Sequence, residues 1–123
     1  MPTQSTPCND YKSLAKDLRQ FVEERDWDQF HTAKNLAVSV SIEAAELLEH
    51  FQWKDVDAPD HDTLQGVKDE TSDVFLYLIL IADRLGFDLL QAAKEKLEKN
   101  RAKYPPEKCR GSSTKYDKLT SKN

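Results

Sequence analysis

The stretch VKDETSDVFLYLILIA, residues 67–82, decides the fold of this chain. Its apolar residues recur at helical spacing, which predicts one long helix. Glu70 and Asp73 stand three residues apart in it, so their side chains project from the same side, about 60° apart around the helix axis. At about 100° per residue, both valines, Tyr77 and several leucines and isoleucines fall within about 80° of Glu70. The acids therefore lie on a face that a folded protein buries.

A second segment repeats this arrangement. In SIEAAELLEHFQW, residues 41–53, Glu43 and Glu46 are also three residues apart, and Leu36 and Leu47 fall within about 60° of Glu43 on a helix. Unpaired carboxylates on a buried face are costly, and a cation, a metal ion or a raised pKa is the usual remedy. One such pair indicates a buried salt bridge or acids at the rim of the core, but two matched pairs favour a shared site.

The ligand chemistry of these four acids favours a hard cation. A site of carboxylate oxygens without histidine selects Mg²⁺, with Mn²⁺ as a second candidate, over zinc. Such an ion keeps open positions for phosphate oxygens, which indicates hydrolysis of a phosphoanhydride. The chain contains no Walker-type phosphate-binding loop, so binding would depend on metal and side chains.

Two other interpretations of the four acids stay open. A carboxylate-bridged di-iron or di-manganese bundle needs a Glu-x-x-His couple on each of two helices, and here positions 46 and 73 are Glu and Asp. We expect His50 to be a half-buried helix residue and His61 a loop residue, neither with the required spacing. The other reading is a non-enzymatic helical interaction module, in which the acids serve no chemistry.

Length and composition limit the class of protein. The 123 residues suit one domain, and a charged fraction of 33% predicts a soluble protein. The longest apolar run, residues 74–82, is too short to span a bilayer, and the N-terminus shows no signal pattern, so we expect a cytoplasmic protein with no membrane partner. Cys8 and Cys109 stand far apart without a partner motif, so neither a disulfide nor a zinc site is expected.

The charge distribution argues against a nucleic-acid polymer as partner. Residues 1–93 carry eight Lys and Arg against eighteen Asp and Glu, and the excess of basic residues is confined to the C-terminal part. Binding along a nucleic-acid strand requires a continuous basic face, which this acidic body does not offer. An acidic body with a basic arm suits a small polyanion that bridges a metal ion and lysines.

The periodicity predicts an all-α protein, a four-helix bundle with sequential helices as antiparallel neighbours. The predicted helices cover residues 10–26, 32–53, 62–85 and 89–104. Asp10 and Asp62 are the expected N-caps of the first and third helices, and Gly86 is expected just past the end of the third. We expect residues 1–9 to be disordered, residues 10–105 to form the helical domain and residues 106–123 to be a polar tail.

The third helix is apolar on nearly all sides. Leu76, Ile79 and Leu80 project away from the side that carries Glu70. A helix of this kind needs cover on every side, which four helices in a small domain hardly provide. We therefore predict a homo-oligomer with the third helix near its centre.

Four blocks of the sequence, taken together, resemble the all-α nucleoside triphosphate pyrophosphohydrolases of the MazG-like family, and especially the dCTP pyrophosphatase branch. The blocks are ERDWDQFHTAKNL, SIEAAELLEHFQW, DETSDVFLYLILIADRLG and KLEKNRAKYP, within a match over residues 14–116. The resemblance implies a MazG-like four-helix bundle assembled as a homotetramer, a dimer of dimers. It also implies Mg²⁺-dependent hydrolysis of a deoxynucleoside triphosphate, dCTP or a modified dCTP, to the monophosphate and pyrophosphate.

The family's metal motif, E-x-x-E followed by E-x-x-D, falls on Glu43, Glu46, Glu70 and Asp73. Glu46 is our candidate for the group that orients the attacking water. Many relatives have adjacent glutamates at the start of the first motif, whereas this chain has Ala44, and the dCTP branch also has an apolar residue there. That difference weakens an assignment to the broad-specificity MazG type.

The resemblance also marks positions for the nucleotide. Trp27, His31 and Trp53 match a pocket that holds the base by stacking, and Tyr77 is the candidate contact to the sugar. Each of these rings could instead be an ordinary packing residue.

The phosphate positions lie in the last predicted helix. The motif K-x-x-x-N-x-x-x-Y-P places them at Lys96, Asn100 and Tyr104, with Lys103 beside them, in a site completed by a neighbouring subunit. A charged stripe of this kind is also common on a simply solvated helix face.

Overall fold

The computed structural model describes residues 10–53 and 59–115, and these form α-helices and turns without a β-strand. The helices are α1 (Tyr11–Glu24), α2 (Ala33–Glu49), α3 (His61–Leu85), α4 (Leu89–Lys103) and α5 (Pro106–Cys109), with a 3-10 turn at Asp28–Phe30. The all-α class is confirmed. Our expectations for residues 1–9, for Cys8 and for residues 116–123 lie outside the described residues. In the described part of the chain, no helix combines the length and apolar content needed to cross a bilayer.

The chain divides between Asp88 and Leu89 into two compact units. The first contains α1, α2 and α3, and the second contains α4 and α5. The helix α5 is a single turn at the start of the segment predicted to be a polar tail. Pro106 opens it, and proline suits the first helical position because its fixed φ is already helical. Cys109 at its end is half-buried with a free thiol.

Local hydrogen bonds explain where α1 and α2 begin and end. The Asp10 carboxylate accepts from the Ser13 N–H at 2.7 Å, so the predicted N-cap of α1 is confirmed. The prediction that the second helix continues to Trp53 is wrong, because α2 ends at Glu49. The N–H of Phe51 donates to the Leu48 carbonyl at 2.9 Å, a tight turn that takes up a free carbonyl of the helix end.

The N-cap of α3 is Asp60, not the predicted Asp62. Asp60 has an extended backbone, and its carboxylate accepts from the Thr63 N–H at 2.8 Å. Asp62 lies inside the first turn, where an acid still interacts favourably with the helix dipole. The prediction for the other end is confirmed: Gly86 is in the left-handed region at φ 78°, and its N–H donates to the Ala82 carbonyl at 2.8 Å.

Helix α3 is the centre of the first unit. It packs most extensively along α2 and also contacts α1. Ile79 and Ala82 are its buried residues, and they lie about 180° and 120° around the axis from Glu70. Leu18 and Val22 are the buried residues of α1. The deepest packing is thus on the side of α3 turned away from Glu70.

The side of α3 that carries Glu70 is less buried than the periodicity predicted. Val67, Val74 and Tyr77 are half-buried, as expected for residues near α2. Leu78 and Leu85, placed on the same face by the helical arithmetic, are 36% and 60% exposed. These two side chains lie toward an edge of the face that α1 and α2 leave open.

Replacement of Asp60 by alanine tests the cap of α3. We expect Asp60→Ala to lower the free energy of unfolding by about 1 kcal/mol more than Asp62→Ala does. Both changes remove one negative charge near the same helix end, but only the first removes a cap. Urea unfolding at matched protein concentrations measures the difference. Equal destabilisation of the two variants would contradict the assignment of Asp60.

Candidate active site

Three carboxylates converge between α2 and α3. Glu43 and Glu46 of α2 and Glu70 of α3 each present an oxygen, and these atoms all lie within 4.8 Å of one another. They meet because α2 and α3 pack along their length and each helix turns its acids toward the other. All three residues are half-buried. The structure therefore brings three of the four sequence-predicted acids to one point, which we call the acid cluster.

Glu43 is the most strongly perturbed acid in the cluster. Its pKa rises to about 7, first because burial disfavours the charged form, and next because of hydrogen bonding and repulsion from Glu46. Asp73 and Glu70 raise it further. The Glu43 Oε2 atom is shielded from solvent and has no hydrogen-bond partner. The acid cluster is therefore short of positive charge.

A hard divalent cation fits this group of atoms. The donors are carboxylate oxygens, which such ions prefer, and the shielded Oε2 of Glu43 is an acceptor in need of a partner. A bound cation would also remove the repulsion that raises the Glu43 pKa. Asp73 is outside the group of three atoms, yet its charge reaches Glu43. It is therefore the outer member of the predicted set of four.

A cavity of about 230 Å³ lies beside Asp73, between α1, α3 and the residues that flank the 3-10 turn. It brings together four residues singled out in the sequence, namely Trp27, His31, Asp73 and Tyr77. The rest of the wall is apolar and comes from α1 and α3, and an apolar wall with few polar groups is typical of small-molecule sites. Because Asp73 lines the cavity and also acts on Glu43, the cavity and the acid cluster are adjacent.

The segment that carries Trp27 and His31 is held by several contacts. The Trp27 ring meets Phe21 edge-on, with 5.7 Å between ring centroids. The side-chain amide of Asn35 donates to the Phe30 carbonyl at 3.0 Å, which ties this segment to α2. His31 is half-buried, and its Nδ1 atom is enclosed without a hydrogen-bond partner. This nitrogen is a polar atom that a ligand could satisfy.

Trp53 is not part of this cavity. It is 92% exposed, and its φ of 67° is unusual for a bulky residue. It follows the turn that closes α2, so its ring is not held by the helix. The structure thus separates Trp53 from Trp27 and His31 within one chain.

The predicted phosphate-binding residues belong to the second unit. Lys96 and Lys103 of α4 are exposed and Asn100 is half-buried, and their spacing of four and three residues places them on one side of the helix. Tyr104 follows α4, and its N–H donates to the Asn100 carbonyl at 2.8 Å. These four residues form a group of their own on α4 and its C-terminal end.

His50 is the residue near the site that sequence reasoning missed. It is half-buried as predicted, but it caps the C-terminus of α2, with its Nε2 3.8 Å from Glu70 Oε1. The spacing did contain a signal, because His50 follows Glu46 by four residues and so lies on the same side of the helix. A Glu-x-x-His couple has a different spacing, so the search for that motif does not find His50.

Comparisons with known proteins agree with this arrangement. A model of the MazG-like family matches residues 38–119. The chain is 40% identical over 123 residues to rat dCTP pyrophosphatase 1, an alignment that covers 96% of this chain and 72% of that protein. Human dCTP pyrophosphatase 1 is 39% identical over 105 residues, covering 81% of this chain and 62% of that protein. The family resemblance inferred from the sequence is confirmed.

A solved structure is also similar. A pyrophosphatase from Archaeoglobus fulgidus superposes with a TM-score of 0.69 at 43% sequence identity, covering 76% of this chain and 91% of that one. The fold inferred from the helical pattern is therefore one that a known pyrophosphatase adopts.

The raised pKa of Glu43 predicts how pH affects stability when divalent cations are removed. Between its ordinary pKa of 4.5 and the folded value of about 7, the folded chain retains a proton that the unfolded chain has released. Stability in chelator should therefore fall as pH rises through this window. Glu43→Gln should remove that contribution, and a divalent cation should restore stability at pH 7. Thermal unfolding in chelator at several pH values measures this dependence. If the native chain and Glu43→Gln lost stability with pH in parallel, the prediction would be contradicted.

Proposed function

The chain belongs to the MazG-like family, and we propose that it hydrolyses dCTP or a modified dCTP to the monophosphate and pyrophosphate. Its similarity to dCTP pyrophosphatase 1 and to an archaeal pyrophosphatase supports a nucleoside triphosphate diphosphatase. The observation that carries the proposal is the convergence of Glu43, Glu46 and Glu70 within 4.8 Å, next to a cavity lined by Trp27.

The cation in this proposal is Mg²⁺, for which Mn²⁺ could substitute. Glu43, Glu46, Glu70 and Asp73 would hold it, since carboxylates bind both ions. When bound, the cation supplies positive charge to the triphosphate and lowers the pKa of a coordinated water. The positive charge of the cation would favour the ionised form of Glu43, against the burial and the neighbouring acids that raise its pKa.

The cavity beside Asp73 would receive the nucleoside. Trp27 offers an aromatic face on which a base can stack, and His31 offers an enclosed Nδ1 for a polar contact. Tyr77 lies one turn beyond Asp73 on α3 and would face the sugar. We assign Trp53 to the base as well, in a site completed by a second subunit, because its ring is exposed and stands apart from the cavity of its own chain.

The chemistry would be an in-line attack of water on the α-phosphorus. Glu46 would accept a proton from the water and orient it, and the bond from the α-phosphorus to the bridging oxygen would break. The departing pyrophosphate carries added negative charge, which Lys96 and Lys103 contributed by a neighbouring subunit would meet, with Asn100 and Tyr104 of that subunit as hydrogen-bonding partners.

We further propose that the chain assembles as a homotetramer, a dimer of dimers. Large apolar side chains are exposed on both helices of the acid cluster, including Val38 and Ile42 of α2 and Phe75 of α3. Such surfaces on a small chain mark contacts with other subunits. Because nucleoside triphosphates are cytoplasmic metabolites, we propose the cytoplasm as the location.

Conversion of single glutamates to glutamine tests the reaction. We expect Glu46→Gln and Glu70→Gln each to lower turnover of dCTP by about 100-fold or more, because each removes a charge that the reaction uses. Glu49→Gln, at an exposed position of the same helix α2, is the matched control and should retain activity. The assay resolves products from a panel of deoxynucleoside triphosphates with Mg²⁺. Orthophosphate instead of pyrophosphate, or full activity in both variants, would reject the proposal.

Disruption of the exposed apolar surface tests the assembly. We expect Phe75→Glu to reduce the oligomer to smaller species, because it places a charge where subunits meet. Lys16→Gln makes the same change in net charge at an exposed position of α1 and should leave the assembly intact. Light scattering coupled to gel filtration reports the mass relative to the 14.1 kDa chain. A monomeric native protein would contradict the assembly.

A further inference from the structure

The imidazole of His50 lies against the acid cluster on the side of Glu70. Its Nε2 is 3.8 Å from Glu70 Oε1, just beyond hydrogen-bonding distance, and both side chains are largely shielded, at 30% and 21% exposure. The ring projects from the C-terminal end of α2 across to α3. Glu70 is one of the three residues of the acid cluster, and His50 is not.

Gly66 provides the space for this ring. It lies on α3, one turn before Glu70, and a Cβ at this position would come within 2.3 Å of the His50 Cε1 atom. The same Cβ would lie 2.9 Å from both ring nitrogens. Real Cβ atoms do not approach other atoms so closely, so any other residue here would displace the imidazole. Glycine is unfavourable within a helix, and the close approach of His50 accounts for it.

We propose that His50 is a positioning residue that holds the Glu70 carboxylate toward Glu43 and Glu46, with Gly66 admitting its ring to α3. This inference rests on the proposed function, because the orientation of Glu70 matters only if it binds a cation. A glutamate side chain has several rotatable bonds, and binding a cation must fix them. An imidazole packed beside the carboxylate restricts these bonds in advance, and a small shift of the ring would let it hydrogen-bond to the carboxylate, as polar partners of metal ligands do elsewhere.

The alternative is that His50 only fills space between α2 and α3. A space-filling residue can be replaced by leucine without effect on cation binding. A positioning residue cannot, but glutamine, whose amide nitrogen reaches about as far as Nε2, can replace it in part. Gly66 adds an independent criterion, because its effect should depend on whether the His50 ring is present.

The test is the dissociation constant for Mn²⁺, measured on the full chain by electron paramagnetic resonance at fixed pH. We expect His50→Leu to weaken binding about tenfold and His50→Gln to recover part of that loss. Gly66→Ala should weaken binding in the native background, but it should have no further effect in His50→Ala, where no ring remains to be displaced. His61 is the first residue of α3 and not the predicted loop residue; it is exposed, so His61→Leu is the control and should bind like the native chain.

The possible outcomes distinguish a failure of the His50 role from a failure of the proposed function. Native affinity in His50→Leu would overturn the positioning role while leaving the metal site intact. The positioning role would also be overturned if Gly66→Ala weakened Mn²⁺ binding equally in the native chain and in His50→Ala. If the native chain and Glu70→Gln bind Mn²⁺ equally, the acid cluster is not the metal site, and the proposed function falls with the inference. Thermal unfolding in chelator confirms that each variant compared is folded.

Discussion

The main constraint on this structure is the negative charge that it holds in a half-buried space between two packed helices. Glu43, Glu46 and Glu70 lie close together there, and burial, followed by hydrogen bonding and repulsion from Glu46, raises the pKa of Glu43. In the absence of a cation this arrangement opposes folding, since burial and like charges both disfavour ionised carboxylates. In the proposed site, a divalent cation would relieve this unfavourable arrangement, and the relief would add to the free energy of binding. The acids that would bind the cation are therefore also the residues that destabilise the metal-free chain.

Apolar packing on the opposite side of α3 holds this helix, and therefore its acids, in place. The buried core of α3 is formed by Ile79 and Ala82, which face away from Glu70, and the buried residues of α1 are Leu18 and Val22. Arg19 of α1 also pairs with Asp83 of α3 at 2.7 Å, although an exposed pair of this kind contributes little. Apolar packing on one side of α3 thus fixes the backbone that presents acids on the other. Asp73 connects those acids to the cavity lined by Trp27 and Tyr77, so one helix carries both an acid of the cluster and part of the cavity wall.

Much of this could be predicted from the sequence, because helical periodicity fixes which side chains share a face. The placement of Glu43, Glu46 and Glu70 on facing sides of α2 and α3 followed from that rule, and Gly86 was expected as the glycine that ends α3. Other features could not be predicted, because neighbouring residues offer the same chemistry or because the feature depends on how the helices pack. Two aspartates stand at the start of α3, and only the backbone angles select Asp60 as the cap. The contact of His50 with Glu70 required the packing of α2 on α3 and the missing side chain at Gly66, which periodicity does not reveal.

The central claim is that the acids of α2 and α3 form one divalent-cation site that faces the nucleotide. A crystal structure with Mn²⁺ and a non-hydrolysable analogue of dCTP, in which the bridge between the α- and β-phosphates is a methylene or imino group, tests it most directly. We predict an anomalous peak for Mn²⁺ bound by Glu43, Glu46 and Glu70, and a base in the cavity lined by Trp27. A metal bound elsewhere, or a nucleotide whose phosphates point away from these acids, would contradict the account.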